Sequence, residues 1–483
     1  MHSTSPARPA EPTPPTAKTS TLTALLHSAR RLTPLAWPTL VGQLAVLSFA
    51  VVDTVLVARF AAADLAALAV GTAAYIATFV GLMGVVAALG PIAGQLFGAG
   101  QYAKAGRQAH QAVWLALGLS ALGMVLLAFP QPFLALAHAS PEVSAKVRAY
   151  LGVQALALPA SLLFTVFRSF NTAVSRPKVV MRYQVGGLAL KVPLSLALVF
   201  GVPAIGLPAL GVVGCAIATA VAMWMQVLLA WARVRRDPFY APFQLMGRGL
   251  DRPERAALLA QLRLGVPMGA SIWTEMMGFA FMALFISRLG TTAVAGHQVA
   301  MNIVSVMFMV PLALASASAA LVAQRIGAAD PVDARRLGWH SLTIGLALAT
   351  LMGCTVWVVR HVVVGWYTVD PAVQAAALSL IAWLVLFHVA DAAQTVAAFV
   401  LRAYRIATVP LLIYVGALWG VGLGGGYYLA FNVSGSVPLA LRGAPGYWFA
   451  ATAGLVVAAA LLIAFMALVL RPEVVKEGVA ARV

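Results

Sequence analysis

Twelve long apolar stretches govern what this chain can fold into. They follow one another at about 35–57, 68–94, 108–130, 149–170, 180–202, 210–232, 262–288, 297–324, 337–360, 376–401, 409–431 and 447–470, separated by short segments carrying Gly, Pro, Arg or Lys. Each is near the ~20 residues that carry a helix across ~30 Å of hydrocarbon. They lack strand-like alternation and are too long for barrel strands, so the spans are read as helices whose backbone groups are satisfied internally. Composition agrees: 62% of the 483 residues are hydrophobic and 10% charged, against ~45–50% and ~25% in water-soluble domains. The expectation is an all-α integral membrane protein.

The charges then orient the spans. There are 32 Lys and Arg against 14 Asp and Glu, a formal net charge of +18. With both termini in the cytoplasm, 25 basic residues fall in the inner tails and connections and six (Arg59, Lys146, Arg148, Arg288, Arg360, Arg442) in the outer ones, leaving Lys191 within a span. Basic residues gather on the cytoplasmic side of membrane proteins, so the excess reports topology and gives no reason to invoke nucleic acid. Residues 1–33, rich in Pro, Ser, Thr and Ala, contain no apolar run of signal-peptide length and read as a disordered cytoplasmic tail. Cys215 and Cys354 both lie in apolar segments and offer neither a disulfide framework nor a thiolate metal cluster.

An internal repeat divides the chain. Shifting the sequence by 229 positions places Leu35 on Leu264, Pro38 on Pro267, Arg59 on Arg288, Gln95 on Gln324, Gly98 on Gly327 and Arg107 on Arg336 without a gap. Farther on, Arg168 followed by Pro177 resembles Arg402 followed by Pro410 once one gap is allowed. Two units of six spans share one membrane orientation, so the twelve helices form two six-helix bundles related by a pseudo-two-fold along the membrane normal. The expected parts are an N-terminal lobe at 34–232, a cytoplasmic inter-lobe linker at 233–261, a C-terminal lobe at 262–470 and a cytoplasmic tail at 471–483. Twin bundles leave a cleft that rocking exposes to either side in turn; the alternative is an inert scaffold of duplicated helices.

Of the 14 acidic residues, three fall within spans: Asp53, Glu275 and Asp391. A carboxylate near the bilayer centre costs ~2.5–3.5 kcal/mol on the lenient insertion scale, so each must face a polar cavity, pair, bind a cation or be protonated. Glu275 is 13 residues from either end of its span, ~20 Å along the helix from each face. Asp391 lies near the middle of the tenth span in the same half, with Gln394 three residues on and roughly on the same face. Two such carboxylates can share a proton or hold a monovalent cation, because like charges resist joint ionisation. The alternative is a structural carboxyl bonded to a neighbouring backbone or amide group. Lys191 on the fifth span is expected either to pair with Asp53, since burying either alone is costly, or to snorkel to the outer surface.

Gln298 and Asn302, one turn apart, suit a substrate cleft or a bond between helices, and Phe387 and Gln394 are further candidates for the cleft. Met276, beside Trp273 and Met277, suits a promiscuous apolar pocket or plain packing. The sequence has no phosphate-binding loop, no HExxH and no G-x-S-x-G, so we expect no enzyme and no cofactor, and energy from an ion gradient.

These residues also carry a family resemblance. PTLVGQL from Pro38, VVDTVLVAR, DLAALAVG and LGPIAGQLFGAGQ, then LGVPMGASIWTEMMGF, VAGHQVAMN, FMVPLALASA, RIGAADPVDARR and DAAQTVAAFVLRAYR, resemble the multidrug and toxic compound extrusion (MATE) family. The likeness covers about residues 35–465 and is greatest to its bacterial NorM-like branch. The resemblance implies a bacterial inner-membrane antiporter, expected to be monomeric, that exports cationic or amphiphilic small molecules in exchange for Na⁺ or H⁺. It implies coupling-ion roles for Glu275, Asp391 and Asp53, which match the family's acids on helices seven, ten and one. The chain departs from the branch at Phe387, where a Tyr is common, and at Lys191 and Ser195, where Asn is common, which leaves the ion open. Rival readings are a lipid-linked oligosaccharide flippase, a channel and an integral-membrane enzyme.

Overall fold

The computed structural model describes residues 21–136, 140–246 and 249–471. Among them twelve helices are long and apolar enough to cross a membrane. In chain order they are α1 (Thr21–Ala58), α2 (Ala62–Gly98), α3 (Tyr102–Ala128), α4 (Pro141–Ala173), α5 (Pro177–Phe200), α6 (Val212–Arg236), α7 (Arg255–Ser287), α8 (Thr291–Gly327), α9 (Pro331–Val358), α10 (Leu384–Ala403), α11 (Thr408–Ala430) and α12 (Ala444–Val469). The local chemistry explains several starts. Ser140 and Asp330 accept bonds from the amides of Val143 and Asp333, and the next residue in each case is a proline at the first helical position, where its missing N–H and fixed φ suit the turn. α10 follows a short helix, Pro371–Ile381, and the middle of α11, Val415–Gly424, is wound as a π-helix.

Two bundles result. α1–α6 form the N lobe around Leu151, Leu158, Leu162 and Phe170 of α4, and α7–α12 form the C lobe around Phe387, Val396 and Leu401 of α10. The lobes meet through repeat-related pairs, α2 on α7 and α1 on α8, with the end of α2 also lying on α8. A Cβ on Gly98 would overlap the Gln324 carbonyl, and one on Gly327 would overlap the Gln95 carbonyl. These reciprocal contacts mark the pseudo-symmetry axis at the end of the molecule that carries the basic connections. There, Gln95 Nε2 donates to the Ala403 carbonyl at 2.7 Å and Gln324 Nε2 to the Ala173 carbonyl at 2.7 Å. Each glutamine satisfies an orphan carbonyl at the end of a helix in the opposite lobe. Ser175 and Arg405, the next residues but one, both have positive φ, so these helix ends correspond. Arg168 and Arg402 therefore sit at different distances from equivalent caps, which refines the gapped match made from sequence.

The expected tail 1–33 needs correction, because α1 begins at Thr21. The added turns are held by tertiary contacts: Leu32 and Leu35 pack against Leu314, Ala317 and Leu321 of α8, Ser28 bonds His340 at 2.7 Å, and Arg31 pairs with Asp333 at 2.8 Å. Residues 1–20 lie outside the described residues, as does most of the expected tail from 471. The expected linker narrows too, since α6 runs to Arg236 and α7 starts at Arg255. Within it Tyr240 and Phe243 are buried against the N lobe, with Tyr240 donating to Asn171 Oδ1 at 2.6 Å. Beside them Asp237 accepts from Arg176 at 2.7 Å, Arg233 at 2.9 Å and the Phe239 amide at 3.0 Å. Burial works against its ionisation, yet these donors outweigh it and hold the carboxyl below its ordinary range.

Candidate functional site

Glu275 and Asp391 meet inside the C lobe. The Nε2 of Gln394 lies 2.8 Å from Glu275 Oε1 and 2.9 Å from Asp391 Oδ1, so one amide joins an acid on α7 to an acid on α10. Its oxygen accepts the hydroxyl of Tyr414, at the junction where α11 turns from α to π winding. An ionised carboxylate only accepts, so the amide nitrogen faces the two acids and its oxygen faces the phenol. Thr395 Oγ1 is 3.1 Å from the same nitrogen, a third acceptor for two hydrogens. Asp391 and Gln394 are buried, whereas Glu275 is half-buried. Glu275 borders a cavity of about 20 Å³ shared with Phe279, Met282, Leu418 and Gly422, room for about one water or a similarly small ion. Trp419 of the π-wound stretch donates to the carbonyl of Thr274, the residue before Glu275, at 2.9 Å. Such irregular winding recurs at functional positions.

The N lobe holds a different arrangement. Lys191 on α5, fully buried, donates to Asp53 on α1 at 2.5 Å and to Thr219 on α6 at 2.8 Å, and its ammonium lies 5.3 Å from the centre of the Phe49 ring. Of the two positions that the sequence left open for Lys191, the pair is the one found. Asp53, expected as a coupling-ion ligand, thus already holds a charged partner.

The residues assigned to a substrate cleft divide in two. Gln298 and Asn302 are exposed, and Asn302 lies in a stripe with Met309, Ser316, Ala320 and Gly327, whose far end touches the N lobe. Met276, partly exposed, is seven residues beyond Gly269 on the face of α7 that meets α2. Met276 and Asn302 thus continue, away from the basic end, the helix faces that meet the N lobe, and Gln298 lies one turn beyond Asn302. Phe387 and Gln394 lie elsewhere, which corrects their assignment to the cleft. Phe387 is 1% exposed and packs on Phe279 and Trp448, and Gln394 is 0% exposed; an aromatic ring and a bonded amide are more stable inside the lobe than at its rim.

Sequence reasoning passed over Tyr414, Trp419 and Thr219. A search for polar tips as well as charges within spans would have found Tyr414, because a phenol buried in hydrocarbon needs a partner.

Comparison with known proteins gives a consistent picture. The family described as MatE matches residues 38–197 and 267–428, two segments that start at the repeat-related Pro38 and Pro267. The chain is 39% identical over 443 residues to a probable multidrug resistance protein NorM of Aromatoleum aromaticum, covering 92% of this chain and 95% of that protein. It is 32% identical over 439 residues to a probable multidrug resistance protein NorM of Neisseria meningitidis serogroup B, covering 91% and 94%. Its fold matches the crystal structure of the eukaryotic MATE transporter AtDTX14 with a TM-score of 0.84 at 20% identity, covering 95% and 99%.

Proposed function

The chain belongs to the MatE family, and from that premise we propose that it exports cationic and amphiphilic drugs across the bacterial inner membrane in exchange for Na⁺ or H⁺, with Glu275 and Asp391 as the seat of the coupling ion. It is a multi-pass transporter, not an enzyme. The observation that carries the ion assignment is the single amide joining two acids beside a small cavity. A cation entering between the acids replaces a neutral donor by a full charge, which relieves the repulsion that two neighbouring carboxylates otherwise suffer.

With the basic end in the cytoplasm, the clasp between the lobes closes the inner side, as an outward-facing state of the cycle requires. The cycle then needs two conditions. Ion and drug must favour different states or compete for the same charge, because a ligand shifts an equilibrium only by its differential affinity. Met276, Asn302 and Gln298 offer the drug an adaptable apolar and amide surface on the cleft, and the acids of the C lobe attract its positive charge. A flippase for a pyrophosphate-linked sugar would need a free basic cavity, whereas the ammonium of Lys191 is taken up by Asp53. Both termini are assigned to the cytoplasm, and the transporting unit is a monomer.

Vesicles with an imposed Na⁺ gradient or an imposed pH gradient, each alone, test the reading. One gradient should drive ethidium movement, and Glu275→Gln should lower the driven rate at least tenfold while uncoupled ethidium binding persists. Driven efflux by Glu275→Gln equal to that of the native protein would refute the ion assignment.

A further inference from the structure

The two lobes treat their buried acids differently. In the N lobe the three N–H groups of the Lys191 ammonium have three acceptors from two helices: the Asp53 carboxylate at 2.5 Å and the face of the Phe49 ring at 5.3 Å on α1, and the Thr219 hydroxyl at 2.8 Å on α6. A carboxylate, a hydroxyl and an aromatic face are what a small monovalent cation would itself use. One turn along α5 from Lys191, the Ser195 hydroxyl is fully buried without a hydrogen-bond partner, an oxygen ligand in reserve. In the C lobe, by contrast, Glu275 and Asp391 are bridged by a neutral amide, and Glu275 borders a cavity. The first seat balances its charge by an ion pair within the chain; among the described residues neither acid of the second has an ion pair, which leaves that seat open to a cation from solution.

We propose that Lys191 is a tethered cation that keeps the N-lobe seat permanently filled, so that coupling ions are exchanged at the C-lobe seat alone. This inference rests on the antiport reading above and goes beyond it. It removes Asp53 from the ion-binding set that the family resemblance implies, and it makes the number of ions moved per drug a property of one side chain. Replacing Lys191 by a neutral residue should convert Asp53, Thr219 and Ser195 into a second seat for a mobile cation.

The test counts ions per ethidium. In proteoliposomes of the full chain, the ion gradient that just halts ethidium flux at a series of clamped membrane potentials gives that number. The native protein is compared with Lys191→Met and with Asp53→Asn/Lys191→Met, in which the pair is neutral. The double variant should keep the native number and a half-saturating ion concentration within about twofold of native, whereas Lys191→Met should gain one ion per cycle. A double variant that loses an ion per cycle would overturn the proposal, as would a Lys191→Met protein with the native count. If Lys191→Met alone fails to fold, the double variant still decides. Absence of any gradient-driven flux in the native protein would instead overturn the antiport reading, and this inference with it.

Discussion

At the scale of single residues, Tyr414 sets the orientation of Gln394. Its hydroxyl occupies the amide oxygen and so leaves both amide hydrogens to the acids. Tyr414→Phe frees the amide to turn, which weakens the internal donor that competes with the ion. One hydrogen bond is worth about 0.5–1.5 kcal/mol net, so the half-saturating coupling-ion concentration should fall about threefold to tenfold with ethidium affinity unchanged. A titration of driven efflux against ion concentration reads this, and Tyr414→Phe should add nothing in a Gln394→Met background. The two acids themselves were legible in the sequence because charge in hydrocarbon is too costly to be incidental. Lys191 was legible as half of a pair for the same reason. Tyr414 gives a weaker signal, since a phenol in a span carries a smaller penalty than a charge, and its partner Gln394 is set only by the folded lobe.

At the scale of elements, the crossing of α2 and α7 depends on bare backbone. A Cβ on Gly269 would overlap the Gly81 carbonyl and come within 3.1 Å of Val85 Cγ2. Small residues let membrane helices approach to this distance, where packing replaces the missing hydrophobic drive. Gly269→Val should therefore force the helices apart at a cost of about 1–3 kcal/mol, lowering the thermal midpoint and the transport rate together. Gly118→Ala, where a Cβ meets nothing within 4 Å, should alter neither. The twelve spans were readable because bilayer thickness fixes their length. The first turns of α1 were not, because residues 21–33 become helical through Leu32, Ser28 and Arg31, whose partners lie some 300 positions away in the chain. The π winding at Val415–Gly424 likewise answers to its neighbours: the Trp419 bond to Thr274 and the close packing of Gly454, where a Cβ would come within 2.7 Å of the Ala417 carbonyl.

At the scale of the whole molecule, the closed end is a set of bonds that must break for the cleft to change sides. Gln95 and Gln324 each cap a helix of the opposite lobe, with Arg31–Asp333 and Ser28–His340 beside them. Side-chain bonds between membrane helices average ~0.6 kcal/mol, so removing both glutamine bonds should shift the balance toward the inward-open state by about 1–2 kcal/mol, or roughly fivefold to thirtyfold. Spin labels placed on the two lobes at the basic end should report a larger long-distance population in Gln95→Ala/Gln324→Ala than in the native protein. The twin glutamines have one more consequence. In an ancestral homodimer of a six-span chain, a single codon would have specified both clasps, and any change would have struck them together. In the present chain each clasp has its own codon. Gln324 now also reaches the Ser175 hydroxyl at 2.8 Å, while in the other half Arg405 stands in the place of that serine. Selection can therefore adjust how long the door stays shut one hinge pin at a time.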